Sequence, residues 1–253
     1  MTYNGNHLFH YTSFLSALKI LSSRTLLFGD FKSMNDIAES RRDVLNDIAI
    51  SELNKYKSIS FTADKRLKRG FEIDSLWGHY AEKGNGICLV FNKLELISYF
   101  KTMKCFKRYG SISYIRDYSN AIINISEADE TVKSIEKKYR DIFFTKSMDW
   151  KNENEYRLLI RTEDNSQALN FHDSLMAIIT CMPLVEDLER TPEYLILKEI
   201  SNVPILRYQT NLGNKTLQTP QGEYLWPLLG VDYQLDVNYN SSLNFPGPKL
   251  PWQ

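Results

Sequence analysis

Trp150-Lys151-Asn152-Glu153-Asn154-Glu155-Tyr156-Arg157-Leu158-Leu159-Ile160-Arg161 is the stretch on which the reading of this chain turns. From Glu155 onward the residues alternate, with Tyr156, Leu158 and Ile160 to one side and Glu155, Arg157 and Leu159 to the other. That is the period of a strand. Glu153 stands two residues earlier, so a strand running through both glutamates sets two carboxylates on the same side. Charges that close repel, and at least one pKa rises unless a cation or ligand lies between them. Arg157 is placed to help.

Working outward, residues 8–12 read as a short strand, after which Ser13 caps a helix with Phe14, Ala17, Leu18 and Leu21 at helical spacing. Residues 57–62 alternate strictly, Ile59 and Phe61 against Ser58, Ser60 and Thr62, which predicts a half-buried strand with a polar face. Asp74 or Ser75 is expected to cap a short helix carrying Trp77, Tyr80 and Ala81. Gly84-Asn85-Gly86 then turns the chain into the apolar strand 87–91. A strand at 111–115, a long amphipathic helix at 129–146 and further strands at 177–182 and 203–209 complete the pattern. Helices interspersed with strands of mixed character predict an α+β fold.

A chain of 253 residues, 43% hydrophobic and 13% aromatic, is long enough to bury a sizeable core and is read as one domain over 1–212. Beyond Gly213 the composition shifts to Pro, Gly and Asn, which predicts an extension over 213–253 packed on or strapped to that domain. Thirty-one basic residues balance thirty-one acidic ones, so no global field steers the protein onto nucleic acid or an anionic membrane. Any nucleic-acid contact must be local, and the basic runs Lys65-Arg66-Leu67-Lys68-Arg69 and 101–108 are solvated faces or guides for a phosphate backbone. Cys88, Cys105 and Cys181 fit neither a disulfide framework nor a zinc spacing. With no apolar run of membrane-spanning length and no leader-like start, a cytoplasmic location is the expectation.

Three strands thus carry a polar face in an apolar context: His10 with Thr12, Ser58 with Ser60 and Thr62, and Glu153 with Glu155. Paired carboxylates near a histidine and serines suit the stabilisation of positive charge at a sugar carbon losing its leaving group. Glu153-Asn154-Glu155 resembles the Glu-X-Glu element of ADP-ribosyltransferases, Ser58 to Thr62 resembles their second strand, and His10-Tyr11-Thr12 resembles their first-strand motif, in the family's order. The chain is also similar to a large bacterial family of domains of unknown function, through His10-Tyr11-Thr12, Asn35-Asp36, Trp77 to Ala81 and Trp150 to Arg157. The resemblance implies a split mixed β-sheet core with flanking helices and NAD as ADP-ribose donor. It implies Glu155 as the catalytic glutamate at the nicotinamide ribose, with Glu153 orienting or deprotonating the acceptor. His10, Tyr11, Thr12, Asn35, Ser60, Phe61, Thr62, Trp77 and Tyr80 become the candidate cofactor-binding residues, and no metal is expected.

The function so implied is transfer of ADP-ribose to a macromolecule, nucleic acid preferred over protein, by a bacterial toxin or phage-defence effector with an antitoxin or immunity partner. The alternatives are a metal-dependent hydrolase or nuclease built from His10, His79, Glu153 and Glu155, and a non-catalytic binding module. Plainer readings stand beside each residue. The Trp77, His79 and Tyr80 cluster also reads as a core-facing aromatic stripe with a surface histidine. Glu153 and Glu155 also read as partners of Lys151, Arg157 and Arg161 on a solvated edge strand. His7 and His172 are expected at the surface.

Overall fold

The computed structural model describes residues 6–36, 47–65, 68–116, 131–181, 191–211 and 214–218. Most of the 213–253 extension lies outside them. In chain order the strands are β1 (His7–Thr12), β2 (Thr25–Leu27), β3 (Gly29–Asp30), β4 (Tyr56–Ala63), β5 (Ile87–Asn92), β6 (Phe106–Ser111), β7 (Ser113–Ile115), β8 (Thr145–Ser147), β9 (Glu155–Arg161), β10 (Ala168–Asn170), β11 (Leu175–Thr180), β12 (Ile205–Asn211) and β13 (Asn214–Gln218). The architecture is α+β, with mixed strand pairing and flanking helices. The chain divides into two compact units, Met1–Arg24 with Asp64–Leu96 and His172–Gln253, and Thr25–Ala63 with Ile97–Phe171. Segment 1–212 contributes to both.

In the first unit the strand order is β13, β12, β11, β5, β1. β11 and β12 run parallel, while β1 with β5 and β5 with β11 are antiparallel. β5 lies between β1 and β11, which is why its sequence is an unbroken apolar run: Ile87 to Phe91 are fully buried. Ser13 caps the helix Phe14–Ser23 by accepting the Ser16 N–H, and Arg24 ends it in the left-handed conformation at φ 54°. The aromatic cluster on the helix Asp74–Tyr80 follows the plainer reading. Trp77 is buried, stacks on Tyr208 at 5.8 Å between centroids, meets Tyr11 edge-on at 5.1 Å, and donates its indole N–H to the Phe71 carbonyl at 2.8 Å. His79 is exposed. Neither Asp74 nor Ser75 caps this helix. Ile73 holds the cap position, and the Asp74 carboxylate accepts instead from the Tyr208 hydroxyl at 2.8 Å and pairs with Lys215. His7 is not a surface residue but buried, with Nδ1 3.1 Å from the Asp64 carboxylate. The partner lies 57 residues away and left no local signal.

In the second unit β9 is central, paired antiparallel with β4 and β6, and β4 also takes β3. Two small ribbons, β2 with β10 and β7 with β8, accompany it. The core gathers Phe31, Tyr56, Phe143 and Leu159, with Tyr56 and Phe143 stacked at 4.7 Å. β4 is more deeply buried than its alternation predicts, because its polar residues Lys57, Ser58 and Thr62 are buried along with Ile59 and Phe61. The helix expected at 129–146 is shorter and broken, into Thr131–Lys137 and Tyr139–Phe143, with Lys138 off helical geometry at φ −97° and ψ 17° between them. Thr145 to Ser147 leave the helix to pair with β7. The strand expected at 111–115 is interrupted at Ile112, whose N–H turns to the Glu155 carbonyl at 2.9 Å.

The glycines of the turn before β5 differ in purpose. Gly84 adopts a left-handed φ of 95°, whereas a Cβ on Gly86 would lie 2.4 Å from the Thr12 carbonyl oxygen and 2.7 Å from the Ala81 Cα. Backbone cannot give way as a side-chain tip does. Gly86→Ala is therefore expected to cost at least about 1–3 kcal/mol, read as a lower urea midpoint. Gly78→Ala, with nothing within 4 Å of the added Cβ, should gain up to about 1 kcal/mol through helix propensity.

Candidate active site

The second unit builds its most highly charged interior around Glu155, the first residue of β9. The side chain is 4% exposed; Oε1 is hydrogen-bonded, whereas the buried Oε2 has an ion pair but no well-formed hydrogen bond among the described residues. Oε1 accepts from the Ser60 hydroxyl at 2.6 Å and from Arg157 Nε at 2.8 Å, with Arg157 Nη2 at 2.7 Å. Oε2 lies 2.7 Å from Lys146 Nζ. Ser60 comes from β4, which antiparallel pairing with β9 sets beside it, and Arg157 follows two residues along the same strand face. Burial pushes the carboxyl of Glu155 up, but the Arg157 guanidinium, the Lys146 ammonium and the hydrogen bonds outweigh it and hold the group well below the usual carboxylate range. The carboxylate is ionised at neutral pH.

Arg157 is itself completely buried, donating through Nη1 to the Phe143 carbonyl at 2.6 Å and lying 5.2 Å over the Phe31 ring. Lys146 bridges the two glutamates, at 3.0 Å from Glu153 Oε2, and sits 5.4 Å over the Trp150 ring. The expectation that Glu153 and Glu155 share a strand face is corrected. Glu153 ends a 3-10 helix, Met148–Glu153, and Asn154 then takes a left-handed φ of 46°. Asparagine tolerates that conformation, and its amide fixes the turn by donating to the Ala63 carbonyl at 2.7 Å, while the Ala63 N–H returns to the Asn154 carbonyl at 2.9 Å. The carboxylates converge through Lys146 rather than through strand periodicity. Nor is the pair on a solvated edge: β9 is flanked on both sides, and Arg161 pairs with Glu52 instead.

The other candidate residues divide between the units. In the second, Thr62 is buried opposite Glu155 and Phe61 is buried opposite Tyr156. Asn35 is exposed. In the first, His10 and Thr12 are half-buried on β1, opposite Leu89 and Ile87. Tyr11 donates its hydroxyl to the Gly70 carbonyl at 2.7 Å, and Tyr80 packs against the core that holds Trp77. Two residues of the carboxylate cluster escaped the sequence reading. Lys146 was hidden in what reads as the end of a long helix, and Tyr114 on β7 carries no pattern of its own, yet its hydroxyl accepts the Glu155 N–H at 2.8 Å. Burial and the two carboxylates raise the Tyr114 pKa. β7 and β8 set Tyr114 beside Lys146 in register, so this short ribbon brings both residues to the cluster. Among the described residues no group of three or more His, Cys, Asp and Glu side chains could hold a metal ion. Between the two glutamates it is Lys146 that supplies the cation.

The profile of a family described as "Protein of unknown function (DUF2971)" matches residues 76–158, which run from the Trp77 helix through Arg157. No curated protein matches the chain. Among solved structures it is similar to Thermus sp. 2.9 DarT in complex with NAD+, at 13% identity over 81% of this chain and 97% of that one, with a TM-score of 0.38. It is likewise similar to Thermus sp. 2.9 DarT in complex with ADP-ribosylated ssDNA, at 11% identity over 81% of this chain and 95% of that one, with a TM-score of 0.36.

Removing Arg157 leaves a buried carboxylate with one cation fewer, so Arg157→Met should destabilise by about 3–5 kcal/mol. The double variant with Glu155→Gln should lose less than the sum of the two single changes. Urea denaturation of the four proteins measures both. The pH dependence follows from the depressed Glu155 pKa. An unfolded glutamate titrates near ~4.3, so between that value and the lower folded one the unfolded chain takes the proton and the folded chain does not. Stability from Glu155 is therefore present above about pH 4–5 and lost as pH falls, and Glu155→Gln should show a shallower decline in Tm on acidification.

Proposed function

We propose that this protein transfers ADP-ribose from NAD to a macromolecular acceptor, with nucleic acid as the preferred acceptor. The observation that carries the reading is the ionised carboxylate of Glu155 at the start of β9, hydrogen-bonded to Ser60 on the neighbouring β4. These are the two strands whose motifs resemble the glutamate and serine elements of ADP-ribosyltransferases. A buried carboxylate beside a serine hydroxyl suits the recognition of a ribose hydroxyl, since the one accepts and the other both accepts and donates.

In this reading Glu155 accepts the hydrogen bond of the nicotinamide-ribose 2′-hydroxyl. Its negative charge stabilises the positive charge that develops at C1′ as the C1′–N bond breaks and nicotinamide leaves with the electron pair. The acceptor's lone pair forms the new bond to C1′, and its proton passes to Glu153. Ser60 and Arg157 fix the Glu155 carboxylate in place, so it need not reorganise as charge appears. Lys146 lies 2.7 Å from Glu155 and 3.0 Å from Glu153, and the donor's 2′-hydroxyl takes the hydrogen-bonding place left on Glu155 Oε2. Binding of the donor's remaining groups falls, by the resemblance, to His10, Tyr11, Thr12, Asn35, Phe61, Thr62, Trp77 and Tyr80; Trp77 and Phe61, both buried, would act through packing. The role of toxin or phage-defence effector, restrained by a partner, belongs to the same proposal by analogy.

A non-catalytic binding module is the second reading. It is favoured by one observation, that Oε1 of Glu155 is already taken by Ser60 and Arg157 while Oε2 lies 2.7 Å from the Lys146 ammonium. The two readings part on a single assay. Purified protein, Glu155→Gln and Ser60→Ala are incubated with labelled NAD, with and without RNA, DNA and lysate protein. The transferase reading expects nicotinamide release and labelled macromolecule from the wild type, about 10²-fold or more less from Glu155→Gln, and a smaller loss from Ser60→Ala, in proteins whose circular dichroism is unchanged. Turnover that survives in Glu155→Gln sinks the assignment of the glutamate. A wild type that neither binds nor consumes NAD leaves the binding module.

A further inference from the structure

We infer that the edge of the second unit formed by β6 is a docking surface for single-stranded nucleic acid. The chain as a whole is neutral, yet residues 97–116 hold Lys101, Lys104, Lys107, Arg108 and Arg116 and no Asp or Glu. β6 ends the strand order and has β9 as its one strand partner among the described residues. Along this edge charge and aromatic rings alternate. Arg108 lies 4.4 Å over the Phe106 ring and 5.1 Å over Tyr139, Lys101 lies 5.5 Å over Tyr109, and Tyr109 is 38% exposed. Apart from those rings, Arg108 spends one N–H bond among the described residues, on the Lys107 carbonyl at 2.9 Å, and Lys107 turns to the Met103 carbonyl. Among the described residues none of Lys101, Lys104, Lys107 and Arg108 forms an ion pair with a carboxylate. Glu136 acts together with Arg108 on the Tyr56 hydroxyl but, among the described residues, does not form an ion pair with Arg108.

Cations without carboxylate partners, set among aromatic rings of which Tyr109 is exposed, match a polyanion that also has flat faces to stack. Phosphates meet the cations and bases meet the rings, with no demand on sequence. A purely acidic polypeptide would use the charges and leave the rings idle. The register ties this edge to the glutamate site: Tyr109 is opposite Leu158, three residues from Glu155, or about 10 Å along the strand at ~3.4 Å per residue. A strand seated on β6 thus leads toward Glu155. The inference deepens the acceptor reading above, but its test needs no NAD, so the two fail separately.

The test is fluorescence anisotropy of the full-length chain with a labelled 12-nucleotide oligo(dT), an oligo(U) of the same length and a 12-base-pair duplex. Binding of the single strands, tighter than of the duplex, is expected. If about four phosphates are neutralised, the affinity should fall about fifty-fold between 50 and 200 mM salt. Lys101→Glu with Lys104→Glu, both at exposed positions, should weaken binding at least tenfold, and Tyr109→Ala about fivefold or more, with thermal melting unchanged. The relative affinity for the two oligonucleotides distinguishes DNA from RNA. Unchanged affinity in the double variant overturns the proposal, as does binding without salt dependence. Displacement by polyglutamate as effective as by unlabelled oligonucleotide assigns the edge to an acidic polypeptide and overturns it too.

Discussion

A carboxylate removed from water must be neutralised where it stands, and the second unit is organised around meeting that demand at Glu155. Ionised and 4% exposed, it would be prohibitively unfavourable alone. Arg157 answers from the same strand, but a guanidinium buried just as completely needs acceptors and rings of its own. It finds them in the Phe143 carbonyl and the Phe31 face. Lys146 answers from the other side, and because Glu153 shares it, two carboxylates face two cations and the cluster closes without net charge. The broken helix before β8 is the structural counterpart: had it continued to residue 146, that residue would have stayed helical and β8 could not have joined Tyr114 and Lys146 into one ribbon.

The parts of this arrangement that could be read from the sequence are those set by backbone period. The alternation of Glu155 to Arg161, the apolar run of β5 and the polar alternation of β4 each specified a strand, and Ser13 announced its helix by capping chemistry. What escaped depends on partners distant in the chain. Nothing near His7 foretells Asp64, and nothing near Tyr114 foretells the Glu155 amide. Glu153 lies near Glu155 for a reason other than strand period. Periodicity 2 assigned both to one strand face, but the left-handed Asn154 breaks that strand, and a lysine from β8 restores the convergence.

Hydrophobic burial in the first unit poses a simpler problem. Trp77 and Tyr11 each have an apolar body and one polar atom, and both polar atoms are satisfied by backbone carbonyls inside the core. A side chain so placed can shape a cleft only by holding up its wall. His10 and Thr12, half-buried on β1 and differing in that respect from Tyr11 between them, are the first-strand residues with side chains still partly open to a ligand.

Stability alone gives little reason to keep two carboxylates and two cations in the interior of the second unit. Buried ion pairs replaced by apolar side chains of equal volume commonly leave a protein as stable or more so, because desolvation consumes most of the Coulombic gain. What charges offer and a hydrocarbon core does not is a fixed negative group whose orientation is already set by Ser60 and Arg157. Such preorganisation matters where positive charge develops during a reaction, since the surrounding dipoles need not turn to meet it. Lys146 fits the same logic. Its ammonium pairs with Glu155 Oε2 without giving that oxygen a well-formed hydrogen bond, whereas Arg157 is locked by Phe143 and Phe31.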